Sequence, residues 1–202
     1  MLYPVETQLA KGLKMTETIP NIIPVAPTIR QASEADLPML TALMEQAVRR
    51  LNSQDYNQRQ LESALEHVFR IDPQLIAGGT YYVAEVEGEI AGCGGWSHTG
   101  TLSAGAQVQN KLTDKQLGST SDSAKIRAMF VHPKYARQGI GRRLMQMSEL
   151  AARRAGFKRL ELIATLTGEP LYRRCGFVAV EPVDLVFPDG VSLQAVKMEK
   201  QL

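Results

Sequence analysis

Apolar residues in the first third of the chain follow the spacing of a helix. They recur every three or four residues, at Leu37, Leu40, Met44, Ala47, Val48 and Leu51. This period is typical of an amphipathic helix, and Ser33 with Asp36 supplies the hydroxyl and the acid of a helix N-cap. A second apolar stripe predicts a helix over residues 58–69, and a short strand is predicted over residues 29–32.

The middle of the chain carries residue types that favour strands. Residues 80–86 are rich in Tyr and Val, Glu87-Gly88 provides a turn, and residues 89–96 continue as a return strand. Together they predict a β-hairpin. Three glycines lie between residues 92 and 95. Because glycine weakens a strand, they indicate a bulge or the close approach of a ligand to the backbone.

The last third alternates between strands and helices. Strands are predicted over residues 125–131, 159–165, 178–181 and 194–199, and helices over 141–155 and 169–175. Residues 98–123, rich in Ser, Thr, Gly and Asp, are predicted to form a long loop. The order of elements predicts a mixed α/β sheet rather than a pure βαβ array. Residues 1–27, which contain four prolines, are predicted to be a poorly ordered N-terminal extension to one domain over residues 28–200.

Composition narrows the class of protein. The chain has 202 residues, 44% hydrophobic and 22% charged, with a net charge of +2. This balance excludes a chain that is mainly disordered, and no run of ~18 apolar residues is present that could span a membrane. Because the N-terminus also lacks an apolar leader segment, a cytoplasmic protein is expected.

Cysteine and histidine do not form a recognisable site. Two cysteines, Cys93 and Cys175, are too few for a disulfide framework. The three histidines, His67, His98 and His132, lack the spacing of metal ligands, so no metal is expected. Cys175 has no His and Asn pairing that would activate it, and a nucleophilic role for it is rejected.

The sharpest chemical signal is a glycine-containing turn between a strand and a helix. The strand ends at Pro133, and the chain passes Gly139 and Gly141 before the helix. The first helical turn has unpaired amides and a positive dipole end, and glycine lets a ligand approach them. The segment therefore predicts a phosphate site. A Walker loop is excluded because Arg142-Arg143 stands where it needs Lys-Ser/Thr. A dinucleotide fingerprint is excluded because Leu144 stands where it needs a third glycine. The remaining candidate ligand is a pyrophosphate bound without metal.

Two motifs together resemble the GCN5-related N-acetyltransferases. The run Arg137-Gln138-Gly139-Ile140-Gly141 resembles the acyl-CoA loop of that family. Tyr172, with Gly176-Phe177 four residues later, is similar to the family's Tyr-x-x-x-Gly-Phe ending of the fourth helix. The two motifs occur in the family's order, separated by one helix and one strand. The resemblance implies a mixed, mostly antiparallel sheet with a splayed parallel central pair, flanked by helices.

The resemblance also implies a donor substrate and the residues that hold it. The donor is acetyl-CoA, whose pyrophosphate would be held by the amides of Arg137, Gln138, Gly139, Ile140, Gly141 and Arg142. The backbone of Phe130 and Val131 would pair with the pantetheine arm. Ala136 departs from the family, which often has Arg or Gln there.

The implied reaction moves an acetyl group to a primary amine by direct attack in a ternary complex. Tyr172 is the candidate catalytic residue on the leaving-group side. Glu85, on the central hairpin, is the candidate general base, with His132 and Asp122 as alternatives. Trp96 lies where it either lines the acceptor pocket or anchors the core.

Other functions remain open at this stage. The acceptor is a small-molecule amine or a peptide amine, and a homodimer is compatible with the sequence. An alternative is a catalytically weak acyl-CoA-binding sensor or interaction module on the same fold. Residues 125–159 contain ten Lys or Arg and one acid. Because these cations lack interleaved aromatic residues, no nucleic-acid partner is expected, and no membrane partner either.

Overall fold

Seven strands form one sheet in the computed structural model, which describes residues 26–98 and 123–202. The strands are β1 (Thr28–Gln31), β2 (Tyr81–Val86), β3 (Glu89–His98), β4 (Ser123–Val131), β5 (Arg159–Thr165), β6 (Val178–Val186) and β7 (Ser192–Gln201). Their order across the sheet is β1-β2-β3-β4-β5-β7-β6. Only β4 and β5 run parallel among these neighbours, and the other pairs are antiparallel.

Five α-helices lie within the same two ranges and cover both faces of the sheet. They are α1 (Leu37–Leu51), α2 (Gln58–His67), α3 (Pro73–Ala77), α4 (Ile140–Arg154) and α5 (Glu169–Arg174). Side chains of α1, α2 and α3 belong to one hydrophobic cluster, and those of α4 and α5 to another. The sheet therefore separates an α1 face from an α4 face. None of these helices is long and apolar enough to cross a membrane.

The sheet splits between its two central strands. Strands β4 and β5 pair at only three positions, from Ser123 with Arg159 to Lys125 with Glu161. Beyond these pairs β4 remains bonded to β3, while β5 remains bonded to β7. The two strands diverge and leave a gap that connects the two faces. The predicted mixed sheet with a splayed parallel central pair is confirmed.

A bulge in β4 lies beside this gap. Gly95 is paired with Arg127 and Cys93 with Phe130, so β4 contains one more residue than β3 between these pairs. Ala128 takes a left-handed conformation there, with φ of 47°. The buried hydroxyl of Tyr81 donates a 2.7 Å hydrogen bond to the carbonyl of Ala128. This bond holds a backbone conformation that a residue other than glycine rarely adopts.

The glycines of β3 serve packing around that bulge. A Cβ on Gly94 would lie 2.0 Å from the sulfur of Met129, and one on Gly95 would lie 2.2 Å from the carbonyl of Thr80. Of the two predicted explanations, the bulge is therefore correct. The atoms closest to Gly94 and Gly95 belong to Met129 and Thr80 of this chain, and not to a space that a ligand could enter.

Most predicted elements occur within a few residues of their expected ends. The second helix ends at His67, and β6 continues five residues past its predicted end. Helix α3, five residues long, was not predicted. Residues 1–25, and residues 99–122 within the predicted long loop, lie outside the described residues.

Candidate active site

The turn before α4 has the geometry of an anion-binding helix start. Gly139 is the N-cap residue, with φ of 85°, in the left-handed region that favours glycine. The first helical hydrogen bond runs from the N–H of Arg143 to the carbonyl of Gly139, at 3.1 Å. The N–H groups of residues 140–142 therefore precede the first intrahelical bond. They form the positive end of the helix dipole, which is where phosphate binds.

The second glycine of this turn has a different role. A Cβ on Gly141 would lie 2.9 Å from a methyl group of Leu171, on α5. Gly139, by contrast, has no atom of residues 26–98 or 123–202 within 4 Å of the position a Cβ would take. Gly141 therefore lets α4 and α5 pack closely, whereas Gly139 permits the turn and leaves open space beside the amides.

A cleft of about 810 Å³ begins at this turn and follows the gap between β4 and β5. Of the eight residues predicted to hold CoA, seven line it: Phe130, Val131, Arg137, Gly139, Ile140, Gly141 and Arg142. The side-chain amide of the eighth, Gln138, donates to the carbonyl of Lys134 at 3.0 Å. Arg174, on α5, adds another cation to the lining near the turn.

Tyr172 lines the same cleft from α5. Its ring packs edge-on against Phe177, with centroids 5.8 Å apart. The hydroxyl makes no hydrogen bond to any residue that the structure describes. Burial raises the pKa of this phenol above its ordinary value. The group therefore keeps its proton at neutral pH and remains available as a donor.

The predicted base lies elsewhere. Glu85 accepts a 2.9 Å hydrogen bond from Arg30, whose guanidinium also binds Asp36. Glu85 is not part of the cleft lining. His132 contacts Gln46 and also lies outside the lining, while Asp122 is outside the described residues. The structure therefore does not bring the predicted base to the cleft.

Trp96 packs in the core beside the cleft's α4 face. It is buried on the α4 face, and its ring packs edge-on against Phe157 at 5.6 Å between centroids. Trp96 does not line the cleft. Of the two roles predicted for it, the structure favours the core anchor.

The cleft also contains residues that sequence reasoning missed. On its α1 face these include Asp55, Phe69 and Arg127. Asp55 lies in the connection that follows α1, where the sequence has no periodic pattern. Phe69 belongs to the apolar stripe of the predicted second helix, which ends at His67 in the structure. In the sequence Arg127 is one charged residue of a predicted strand. The structure shows that it is buried and donates a hydrogen bond to Ser97. No local signal marks any of the three as a cleft residue.

Metal ligands do not come together in the described ranges. Within residues 26–98 and 123–202, no group of three or more His, Cys, Asp or Glu side chains could hold an ion.

Comparison with known proteins agrees with this geometry. Residues 77–179, just over half of the chain, match the acetyltransferase (GNAT) domain. The uncharacterized N-acetyltransferase YjgM of Escherichia coli (strain K12) is 28% identical over 165 residues, which cover 80% of this chain and 87% of YjgM.

Solved structures share the fold. A GCN5-related N-acetyltransferase from Rhodopseudomonas palustris superposes with a TM-score of 0.65 at 19% identity, over 90% of this chain and 99% of that one. The PaiA N-acetyltransferase of Thermoplasma acidophilum, in complex with coenzyme A, gives a TM-score of 0.59 at 14% identity, over 88% of this chain and 99% of that one. The family match, the split sheet and the open amides of the turn agree, and the chain belongs to the acetyltransferase (GNAT) family.

Proposed function

We propose that the protein transfers an acetyl group from acetyl-CoA to a primary amine. One observation carries the proposal: a single cleft joins the open amides before α4 to the buried phenol of Tyr172. The Thermoplasma relative bound to coenzyme A supports a CoA thioester as the donor. The names of the relatives support an amine as the acceptor.

The residues of the cleft fit the donor. The amides of residues 137–142 would bind its pyrophosphate, with Arg142 and Arg174 supplying positive charge nearby. The unpaired edge of β4 at Phe130 and Val131 would accept the pantetheine arm as an added strand. The thioester would then lie in the part of the cleft that Tyr172 lines.

The reaction exchanges one bond for another at the thioester carbonyl. The amine nitrogen attacks the carbonyl carbon, the carbon–sulfur bond breaks, and sulfur leaves with the electron pair as a thiolate. The attacking nitrogen must be neutral, and an alkyl ammonium of pKa ~10.4 costs about 4.6 kcal/mol to deprotonate at pH 7. The proton lost by the amine balances the one that the thiolate finally takes up.

Tyr172 stabilises the leaving sulfur by donating a hydrogen bond. An ordinary phenol, with a pKa of ~10, is already a weaker acid than a thiol at ~8.5. Burial raises the pKa of Tyr172 further, so full proton transfer from the phenol is unfavourable. A hydrogen bond that strengthens as charge develops on sulfur has no such cost.

The variant Tyr172→Phe tests this assignment. Loss of the donor is expected to lower kcat by about a hundredfold, while the Kd of CoA stays unchanged because the amides are intact. Thiol release from acetyl-CoA and calorimetric titration with CoA measure the two quantities. Tyr82→Phe is the matched control, since Tyr82 is also buried but does not line the cleft. An equal loss of kcat in both variants would contradict the role of Tyr172.

The alternative function, a sensor that binds CoA without catalysis, makes a different prediction. Such a module would bind CoA with the same dependence on the α4 turn but release no thiol with any amine. A panel of amines, amino acids and peptides incubated with acetyl-CoA therefore separates the two functions.

A further inference from the structure

The gap between β4 and β5 gives the cleft two distinct ends. The turn before α4 and helix α5 lie at the α4 face, and the cleft continues to the C-terminal part of α1 on the opposite face. If the donor occupies the α4 end, as the proposed function requires, the acceptor reaches the thioester from the α1 face. The residues that line that end therefore indicate which kind of acceptor fits.

The α1 end of the cleft is mostly apolar. Its hydrophobic lining comes from α1, the segment after α2, β6 and β7, and includes Val48, Leu51, Phe69, Leu185, Leu193 and Ala195. The rings of Phe69 and Phe130 meet edge-on, with centroids 5.9 Å apart and an angle of 85° between their planes. Such a surface favours a hydrocarbon body over a charged or strongly polar one.

One acid stands out against this lining. Asp55 is the only Asp or Glu that lines the cleft within the described residues. Three of the arginines in the lining, Arg137, Arg142 and Arg174, lie at the donor end. The guanidinium of Arg127, toward the α1 end, is buried and donates to the hydroxyl of Ser97 at 3.0 Å. The rim of the α1 end therefore offers one carboxylate to a cation.

The position of Asp55 is fixed by the connection between α1 and α2. The hydroxyl of Thr167 donates a 2.6 Å hydrogen bond to the Asp55 carboxylate. The adjacent Tyr56 donates to the carbonyl of Gln194 at 2.6 Å and accepts from the N–H of Leu166 at 2.8 Å. These bonds tie the connection to the β5 side of the gap. The carboxylate is therefore held at the rim instead of sampling many positions.

We propose that the acceptor is a small primary amine with an apolar hydrocarbon body, and that its ammonium group docks on the Asp55 carboxylate before it loses a proton and the neutral nitrogen attacks the thioester. A charge-assisted hydrogen bond to Asp55 would select the amine, and the apolar lining would hold the body. A polyamine would need further acids along the lining. A peptide would place polar backbone groups against Val48, Leu193 and their neighbours, at a desolvation cost.

Binding to the CoA-saturated protein tests this without depending on turnover. The probes are phenethylamine and phenethyl alcohol, which share a body and differ in the cationic nitrogen. In Asp55→Asn the Kd of phenethylamine is expected to rise about fivefold, the size of an exposed ion pair, while that of the alcohol stays the same. Asp184→Asn, an exposed acid outside the cleft, is the matched control and should leave both Kd values unchanged.

Two results would overturn the proposal. One is equal binding of phenethylamine to the Asp55 and Asp184 variants. The other is faster thiol release with a lysine peptide, a diamine or phenylalanine than with phenethylamine, which would reject this acceptor while confirming amine acetylation. Absence of thiol release with every amine would instead reject the proposed function, and the binding comparison would then decide on Asp55 alone.

Discussion

At the scale of single residues, Arg30 joins three parts of the fold through two carboxylates. It forms two hydrogen bonds to Asp36, at 2.8 and 2.9 Å, and binds Glu85 at 2.9 Å. Asp36 also accepts hydrogen bonds from the N–H and hydroxyl of Ser33, ahead of α1. This network fixes the start of α1 against β1 and β2, and it occupies the acid that the sequence presents as a candidate base.

The variant Asp36→Asn is expected to lose about 1 kcal/mol of stability at pH 7, since it removes an ion pair with a partly exposed arginine. Arg30 holds the pKa of the Asp36 carboxyl well below its ordinary value. A lowered pKa stabilises the fold above about pH 4, and this contribution is lost as the pH falls toward the folded-state pKa. The difference from wild type in urea unfolding should therefore shrink between pH 7 and pH 3.5.

The exposed acid Glu34, two residues earlier, provides the control. Glu34→Gln should change the free energy of unfolding by less than about 0.5 kcal/mol at either pH. A loss in Asp36→Asn that is constant across this pH range would mean that its charge does not contribute.

At the scale of elements, the turn before α4 depends on one backbone conformation. Gly139 sets the direction of the chain into the helix, and the next three amides follow from it. The sequence predicts this element well because the strand, the glycines and the apolar stripe of α4 all lie within 30 residues. It does not predict α3, which is too short to show a period. The glycines of β3 indicate the bulge, but not that its extra residue lies in the partner strand β4, where Tyr81 holds Ala128.

Gly139→Ala and Gly190→Ala form a matched pair. Both glycines have positive φ, 85° and 77°, and among the described residues neither has an atom within 4 Å of an added Cβ. Each variant should therefore lose about 1–2 kcal/mol of stability from backbone strain alone. Only Gly139→Ala should also raise the Kd of CoA, by about tenfold or more, because strain there reorients the amides. Calorimetry and urea unfolding measure both quantities, and an equal effect on CoA binding would reject the proposed pyrophosphate site.

At the scale of the whole molecule, the sheet consists of two halves that pair at only three positions. The sequence contains the motifs of the donor end but no sign of the α1 end, whose apolar lining comes from α1, the segment after α2, β6 and β7. The resemblance implied the splayed strands. It could not place Trp96 or Glu85, because their partners Phe157 and Arg30 are 61 and 55 residues away along the chain.

Tyr56 joins the two halves at a second point, and its removal should loosen one end of the cleft. Tyr56→Phe leaves the carbonyl of Gln194 without its donor and the N–H of Leu166 without its acceptor, which should cost about 1–3 kcal/mol of stability. Because these bonds lie at the α1 end, the KM of the amine should rise while the Kd of CoA stays constant. Hydrogen exchange at the Leu166 amide should accelerate relative to Tyr82→Phe. Weaker CoA binding with an unchanged amine KM would place the effect of Tyr56 at the donor end instead.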